Sequence, residues 1–313
     1  MRSAAGVPRG DGREPDSLTV RDAGPLGGGG DRKGDAAVMT REQYRLLREI
    51  VYEHSGLSFG EDMLYVVERR LAPRLQIHGL PDFAAYHRFL RYDPGSRTEI
   101  EAAIEALTTH ETYFYREPLQ LQAFVEEVLP LLARENARQR RLRIWSAGCA
   151  TGEEVYTIAI LIERSGLFAG WDVDVFGSDI SRRVLAVARA GAYGPHAFRN
   201  GESEALRPWF RAEGGKFHVR DEIRRLASFG HMNLLDPGAT RRLPVVDAVF
   251  CRNVMIYLDL PARKRVLGMF HEGLREGGYL FLGHSESLLH ITTDFEIVHL
   301  RHDLVYRKPL ASL

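Results

Sequence analysis

Residues 145–154 read Trp145-Ser146-Ala147-Gly148-Cys149-Ala150-Thr151-Gly152-Glu153-Glu154. The apolar run Leu142 to Trp145 leading into it predicts a strand, and Glu153 to Glu163 after it predicts a helix. The two glycines between let the backbone turn tightly and approach a ligand. A strand, a glycine turn and a helix make the opening unit of an open parallel sheet, where ligands bind beyond the carboxyl ends of the strands. The stretch lacks both G-x-G-x-x-G and the Gly-Lys-Ser/Thr of a phosphate loop, so neither nucleotide fingerprint applies. Acidic Glu153 and Glu154 suit a helix N-terminus, but they also disfavour a phosphate and favour a cationic group such as an ammonium.

Downstream the alternation continues. Val173–Phe176, Val245–Phe250 and Tyr279–Leu282 predict strands, Ser181–Ala190 and Ala262–Leu274 predict helices, and Phe295–Val298 with Leu304–Tyr306 suggest a closing antiparallel edge hairpin. The class is α/β, a doubly wound, mostly parallel sheet. An antiparallel insertion interrupts it over about 191–232, with the turn signal Gly214-Gly215 followed by period-2 runs near Phe217–Val219 and Ile223–Leu226. Asp179 ends the second strand, where an acid usually accepts ribose hydroxyls, while Ser181 can cap the next helix. Together Glu154 and Asp179 suggest a nucleoside carrying a cationic amino group and no phosphate, a description that S-adenosylmethionine meets. After the strand ending at Phe250 come Arg252, Asn253 and Tyr257, three polar candidates in one turn.

Upstream, residues 38–107 read as a small helical domain. Thr40 and Gln43 form a capping box, Tyr44, Leu47 and Val51 share a face, and Gly56 ends the first helix. Leu64, Val67, Leu71 and Leu75 predict a second helix up to Gly79, with a kink or break at Pro73. Phe83, Tyr86 and Leu90 mark a third, and Ser96 with Glu99 is expected to cap a fourth. The second helix carries Arg69, Arg70 and Arg74, a solvated face or a patch for an acidic partner. Residues 108–117, from Thr108 to Glu117, link this domain to the next; unlike a plain linker they are rich in aromatic and hydrogen-bonding side chains. Residues 118–313 complete the second domain, opening on a helix at Pro118. Residues 1–37 contain nine Gly, three Pro and six charges of each sign, the composition of a disordered tail.

The 313 residues suit two domains. Lys+Arg and Asp+Glu are both 42, which opposes a generally basic nucleic-acid binder. Two cysteines, Cys149 and Cys251, make neither a disulfide framework nor a four-cysteine zinc site, so a reducing compartment and no metal are expected. No signal peptide or membrane-spanning run is evident, which predicts a soluble cytoplasmic chain without direct membrane insertion.

Six stretches in order carry a resemblance: the linker, Trp145 to Tyr156, Ser178-Asp179-Ile180, Asn233-Leu234-Leu235, Phe250 to Tyr257, and Gly283-His284-Ser285-Glu286. From residue 38 to about 308 the chain resembles the CheR family, chemotaxis receptor methyltransferases that use S-adenosylmethionine. The resemblance implies a helical receptor-docking domain followed by a Rossmann-like methyltransferase domain. It implies methyl transfer to glutamate side chains of chemoreceptors, giving methyl esters and S-adenosylhomocysteine. It also implies roles: Thr112 and Arg116 at the cofactor, Arg116 also near the substrate carboxylate; Glu154 at the methionine moiety; Asp179 at the ribose; Asn233, Leu234, Arg252 and Asn253 lining the adenine and methionine end; Tyr257 beside the transferred methyl. His110 stands where such enzymes often carry asparagine and can still make one hydrogen bond. Arg69, Arg70 and Arg74 would dock the acidic receptor helices. The short hairpin between Phe210 and Val219 implies independence from a receptor C-terminal peptide. Competing expectations are a methyltransferase-fold regulatory module, opposed by the retention of Glu154, Asp179 and Arg116, and a methyltransferase for a non-chemotaxis receptor array. An RNA methyltransferase is opposed by the charge balance, and a dehydrogenase by the missing glycine fingerprint.

Overall fold

The computed structural model describes residues 38–236, 238 and 243–310; the tail expected at 1–37 lies outside them. The described residues form one compact unit. It opens on α1 (Arg41–Ser55), capped by the reciprocal Thr40–Gln43 box, with Tyr44, Leu47 and Val51 buried and Gly56 ending it at a φ of 70°. Next come α2 (Leu64–Ile77), α3 (Phe83–Tyr92) and α4 (Ser96–Leu107). The break expected at Pro73 does not occur. Proline removes one N–H from the ladder, but Val67, Leu71 and Leu75 bury a single stripe on both sides of it, so packing holds the helix together. The cap expected at Ser96 is also corrected. Gly95 is the N-cap and makes no side-chain bond, and Glu99 points into the domain interior with only 4% of its surface exposed.

The second half begins with α5 (Pro118–Ala123), a wide π turn over Phe124–Val128, and α6 (Leu129–Glu135). Then follow β1 (Arg141–Ala147), α7 (Glu153–Ser165), β2 (Asp172–Asp179), α8 (Arg182–Ala190), β3 (Ala192–Tyr193), α9 (Gly201–Glu204), β4 (Phe210–Glu213), β5 (Lys216–Val219), α10 (Asp221–Arg224), β6 (Ala227–His231), β7 (Val246–Cys251), α11 (Leu260–Gly273), β8 (Leu274–Leu282), β9 (Glu296–His299) and β10 (Leu304–Arg307). The main sheet runs β6-β2-β1-β7-β8-β10-β9. Its first five strands are parallel, and the closing β9–β10 hairpin is antiparallel. The small antiparallel sheet is β3-β5-β4.

The insertion is shorter than expected. Ile223 lies in α10 with its side chain buried, and β6 belongs to the main sheet, paired in parallel with β2. An apolar run beside a sheet reads as a strand, but a helical turn places Ile223 in the core without an unpaired ladder. The central strand β7 is buried along its whole length. Phe250 on β7 stacks on Phe281 of β8 with centroids 4.2 Å apart, and Phe124 meets both edge-on. On the opposite face Trp145 packs against Phe270 of α11. With both faces covered, the carboxyl ends of the strands are left to build a site.

Candidate functional site

A cleft of about 1060 Å³, its open mouth included, lies across the carboxyl ends of β1, β2 and β7. Its floor is the turn after β1. The Gly148 and Cys149 N–H groups donate to the Ser178 carbonyl at 2.8 and 2.9 Å, tying β1 to β2 at the level where both strands end. Gly148 has a φ of 81°, and a Cβ there would stand 2.4 Å from Val254 Cγ2, so this position needs glycine for conformation and for space. Ala150 also takes a positive φ, 46°. Its N–H is thereby aimed at Asp179 Oδ2, 2.9 Å away, while Ser181 N–H donates to Oδ1 at 2.9 Å. Each oxygen holds one backbone donor and keeps capacity for another. Burial pushes the Asp179 carboxyl up, against these two bonds and the nearby His110. Ser181, not Asp179, caps α8.

The acidic pair after Gly152 divides. Glu153 is buried, accepts from Thr151 Oγ1 at 2.6 Å and does not line the cleft; burial raises its carboxyl. Glu154 does line it, and accepts from Ser146 Oγ and from Arg252 Nε, both at 2.7 Å. The charge argument for a cationic ligand is thus narrower than sequence suggested: one carboxylate of the pair is present and an arginine already faces it. Arg252, its side chain 3% exposed, also donates to the Arg116 carbonyl at 2.9 Å and lies 3.6 Å from Glu117.

The linker 108–117 forms one wall. Phe114 anchors it, fully buried, stacked on Phe198 and edge-on to Tyr193 and Phe210 of the insertion. Phe114 N–H donates to Ala197, and Tyr115 N–H to Thr157 Oγ1 on α7. Pinning both sides of this turn leaves Thr112, Tyr113 and Arg116 along the cleft. Arg116 donates to the Glu111 carbonyl at 2.8 Å and lies over the Tyr113 ring, which Arg199 covers more closely. His110, 3.1 Å from Thr108 Oγ1, is the single histidine among the described lining residues; burial lowers its pKa, opposed by the Asp179 charge.

The structure brings His110, Thr112, Arg116, Glu154, Asp179, Asn233, Leu234, Arg252, Asn253 and Tyr257 to this one cleft. It does not bring Arg69, Arg70 and Arg74 there, and it separates them from one another. Arg69 is exposed, whereas Arg74 is paired with buried Glu99 and Arg70 is turned toward the end of α4. Sequence reasoning missed the helical domain's own contribution, Ser55 and Leu57. Leu57 bridges Leu258, Ser58 N–H donates to the Tyr257 carbonyl, and Asn233 Nδ2 donates to the His54 carbonyl. It also missed Glu286. That carboxylate accepts from the N–H groups of Asn253 and Gly283, both at 2.8 Å, and of Ile256 at 3.2 Å, holding the turn that carries Asn253 at a φ of 60°. Its signal was present in the Gly283-His284-Ser285-Glu286 motif, but not its direction.

Comparison with known proteins agrees with this geometry. Residues 42–108 match the family described as CheR methyltransferase, all-alpha domain, and residues 110–304 match CheR methyltransferase, SAM binding domain. The chain is 35% identical over 275 residues to Chemotaxis protein methyltransferase 2 of Vibrio cholerae, covering 87% of this chain and 94% of that one. It is 39% identical over 260 residues to Chemotaxis protein methyltransferase 2 of Pseudomonas aeruginosa, covering 80% and 88%. It is 38% identical over 271 residues to a chemotaxis protein methyltransferase of Klebsiella aerogenes, covering 84% and 88%.

Proposed function

The chain belongs to the CheR methyltransferase family and is an S-adenosylmethionine-dependent methyltransferase of chemotaxis, and we propose that its acceptor is a glutamate carboxylate on the helical cytoplasmic region of a chemoreceptor. The products are then a glutamate methyl ester and S-adenosylhomocysteine. One observation carries the reading: the cleft presents carboxylates, two arginines and two tyrosines, and its one histidine among the described lining residues is not placed as a base, since His110 sits at the Asp179 end, held by Thr108. A glutamate acceptor, with an ordinary pKa of about 4.3, is already ionised at neutral pH and needs no base.

The residues present fit the methyl donor. Asp179 has free acceptor capacity for ribose hydroxyls, Asn253 Oδ1 is buried without a partner, and the floor at Gly148 has no room for a Cβ. In this reading Asp179 and Thr112 hold the nucleoside, with Asn233 and Leu234 at the adenine. Glu154, Arg252 and Asn253 hold the amino-acid end, where Glu154 meets the ammonium and Arg252 the carboxylate. The donor supplies an electrophilic methyl on a sulfonium. Arg116 and Tyr257 orient the incoming carboxylate in line with it, and neither changes protonation state. Charge is consumed as the carboxylate attacks, so excluding water from the cleft favours the reaction. Positioning supplies the rest.

Docking rests on the exposed side of α2, where Arg69 faces solvent. The tight hairpin β4–β5, turning at Gly214-Gly215, supports independence from a receptor C-terminal peptide. Action on that receptor region places the chain's work in the cytoplasm. The test is transfer of labelled methyl from S-adenosylmethionine to a receptor cytoplasmic fragment. Label released by mild base is expected; base-stable label, or full activity in Arg116→Ala, overturns the assignment.

A further inference from the structure

We propose that Arg70 is a positioning residue of the cofactor cleft, acting from the helical domain, and not a receptor-docking residue. Its Nη1 donates to the Leu107 carbonyl at 2.6 Å, with Thr108 O at 3.4 Å, and its Nη2 lies 3.4 Å from Thr109 Oγ1. Leu107 is the last residue of α4, where carbonyls lack helical partners and a cation meets the negative end of the helix dipole. The guanidinium therefore satisfies the end of α4 and, in the same contact, fixes the first two residues of the linker. Those residues are themselves part of the cleft: Thr108, Thr109 and His110 all line it, and Thr108 Oγ1 bonds the His110 ring. The path from α2 to the cofactor wall thus runs through one half-buried side chain.

The groups around His110 show how close this contact is. Asp179 and Glu105 favour its protonated form, whereas Arg183 and Arg70 oppose it. Glu105 is in turn held by Ser181 Oγ at 2.9 Å and Arg183 Nε at 2.6 Å, so the end of α4 is clamped to α8 on one side and to α2 by Arg70 on the other. Without Arg70 the α8 clamp remains, but Thr108 and Thr109 lose their tie to α2. The wall then samples more arrangements, and ligand binding must select among them.

The inference rests on the S-adenosylmethionine reading of the cleft, and calorimetric titration with S-adenosylhomocysteine, with no receptor present, separates the two. Wild type must bind for the cleft reading to stand. Given that, Arg70→Ala is expected to bind about fivefold more weakly, as for loss of a charge-assisted hydrogen bond relayed through the wall. Arg70→Lys, which keeps a cation able to reach the Leu107 carbonyl, should recover most of the affinity. In steady state the KM for S-adenosylmethionine should rise in Arg70→Ala while the KM for a receptor fragment stays near wild type. Unchanged product affinity with a raised receptor KM overturns the proposal and restores Arg70 to docking. If Arg70→Ala melts too early to titrate, Arg70→Lys and Arg70→Gln are compared, and equal affinity of both with wild type overturns it.

Discussion

Two buried arginine–carboxylate nodes stand on either side of the linker, and they are built differently. In the helical domain Glu99 accepts from Arg74, from Tyr86 at 2.6 Å and from His78 at 2.6 Å. Burial alone would raise its carboxyl, but these three bonds together hold it below the ordinary range. The node is closed: among the described residues no buried side-chain polar atom of the helical domain lacks a partner. In the cleft, Arg252 binds Glu154, but Asn253 Oδ1 in the same lining is buried and without a hydrogen-bond partner. An unsatisfied buried acceptor disfavours the folded state unless a ligand completes it. The first node is a tie within the fold, and the second is an open seat. Arg74, which reads from the sequence as docking surface, is thus tied within the helical domain, while Arg252 lines the cleft.

The sharpest way to break this contrast is Glu99→Ala. Removing one partner from a buried pair leaves Arg74 uncompensated, so urea unfolding should show a loss of about 3 kcal/mol. Because the folded carboxyl lies below its unfolded value, the stabilisation is present above the ordinary glutamate range and lost as pH falls through the folded value. Affinity for S-adenosylhomocysteine in the molecules still folded should be nearly unchanged. The converse variant, Glu154→Gln, should weaken that affinity by about thirtyfold by calorimetry, with a smaller shift in the unfolding midpoint than Glu99→Ala. Equal effects of the two variants on both readouts would erase the distinction.

Glu286→Gln falls next. Three N–H groups converge on the carboxylate, and an amide presents one acceptor oxygen to them. The turn carrying Asn253 should loosen, seen as about fivefold weaker product binding with only a modest change in thermal midpoint. The smallest effect is expected at His110. Burial keeps its folded pKa below the ordinary 6.5, so the unfolded chain takes up the proton first as pH falls. Stability is therefore highest above that range and declines below it. His110→Asn should flatten this acid-side slope of unfolding free energy against pH; an unchanged slope would show that other groups set it.

Legibility in the sequence followed the range of the interaction. The Thr40–Gln43 box and the Gly56 stop are contained within a few residues, and both stand as read. Ser96 and Glu99 have the same spacing, yet no box forms, because Glu99 is drawn inward by Arg74, a residue 25 positions away. Likewise Ile223–Leu226 carries the right residue types for a strand, but Ile223 lies in the helical turn α10, buried where that turn packs against α7 and β6. In the cleft, strand-end position was enough to find Glu154, Asp179, Arg252 and Asn253, since a parallel sheet sends all its carboxyl ends the same way.

By itself, then, the order of residues determined the α/β class, the helical domain ahead of it, and which strand ends converge on the cleft, because periodicity, caps and glycine turns act locally. Only the tertiary structure decided the partners. It sent Glu153 into the core and Glu154 into the cleft, gave Arg74 to Glu99 and Arg70 to the end of α4, and left Arg69 in solvent. Long charged side chains have many reachable partners, and burial makes the choice among them energetically decisive.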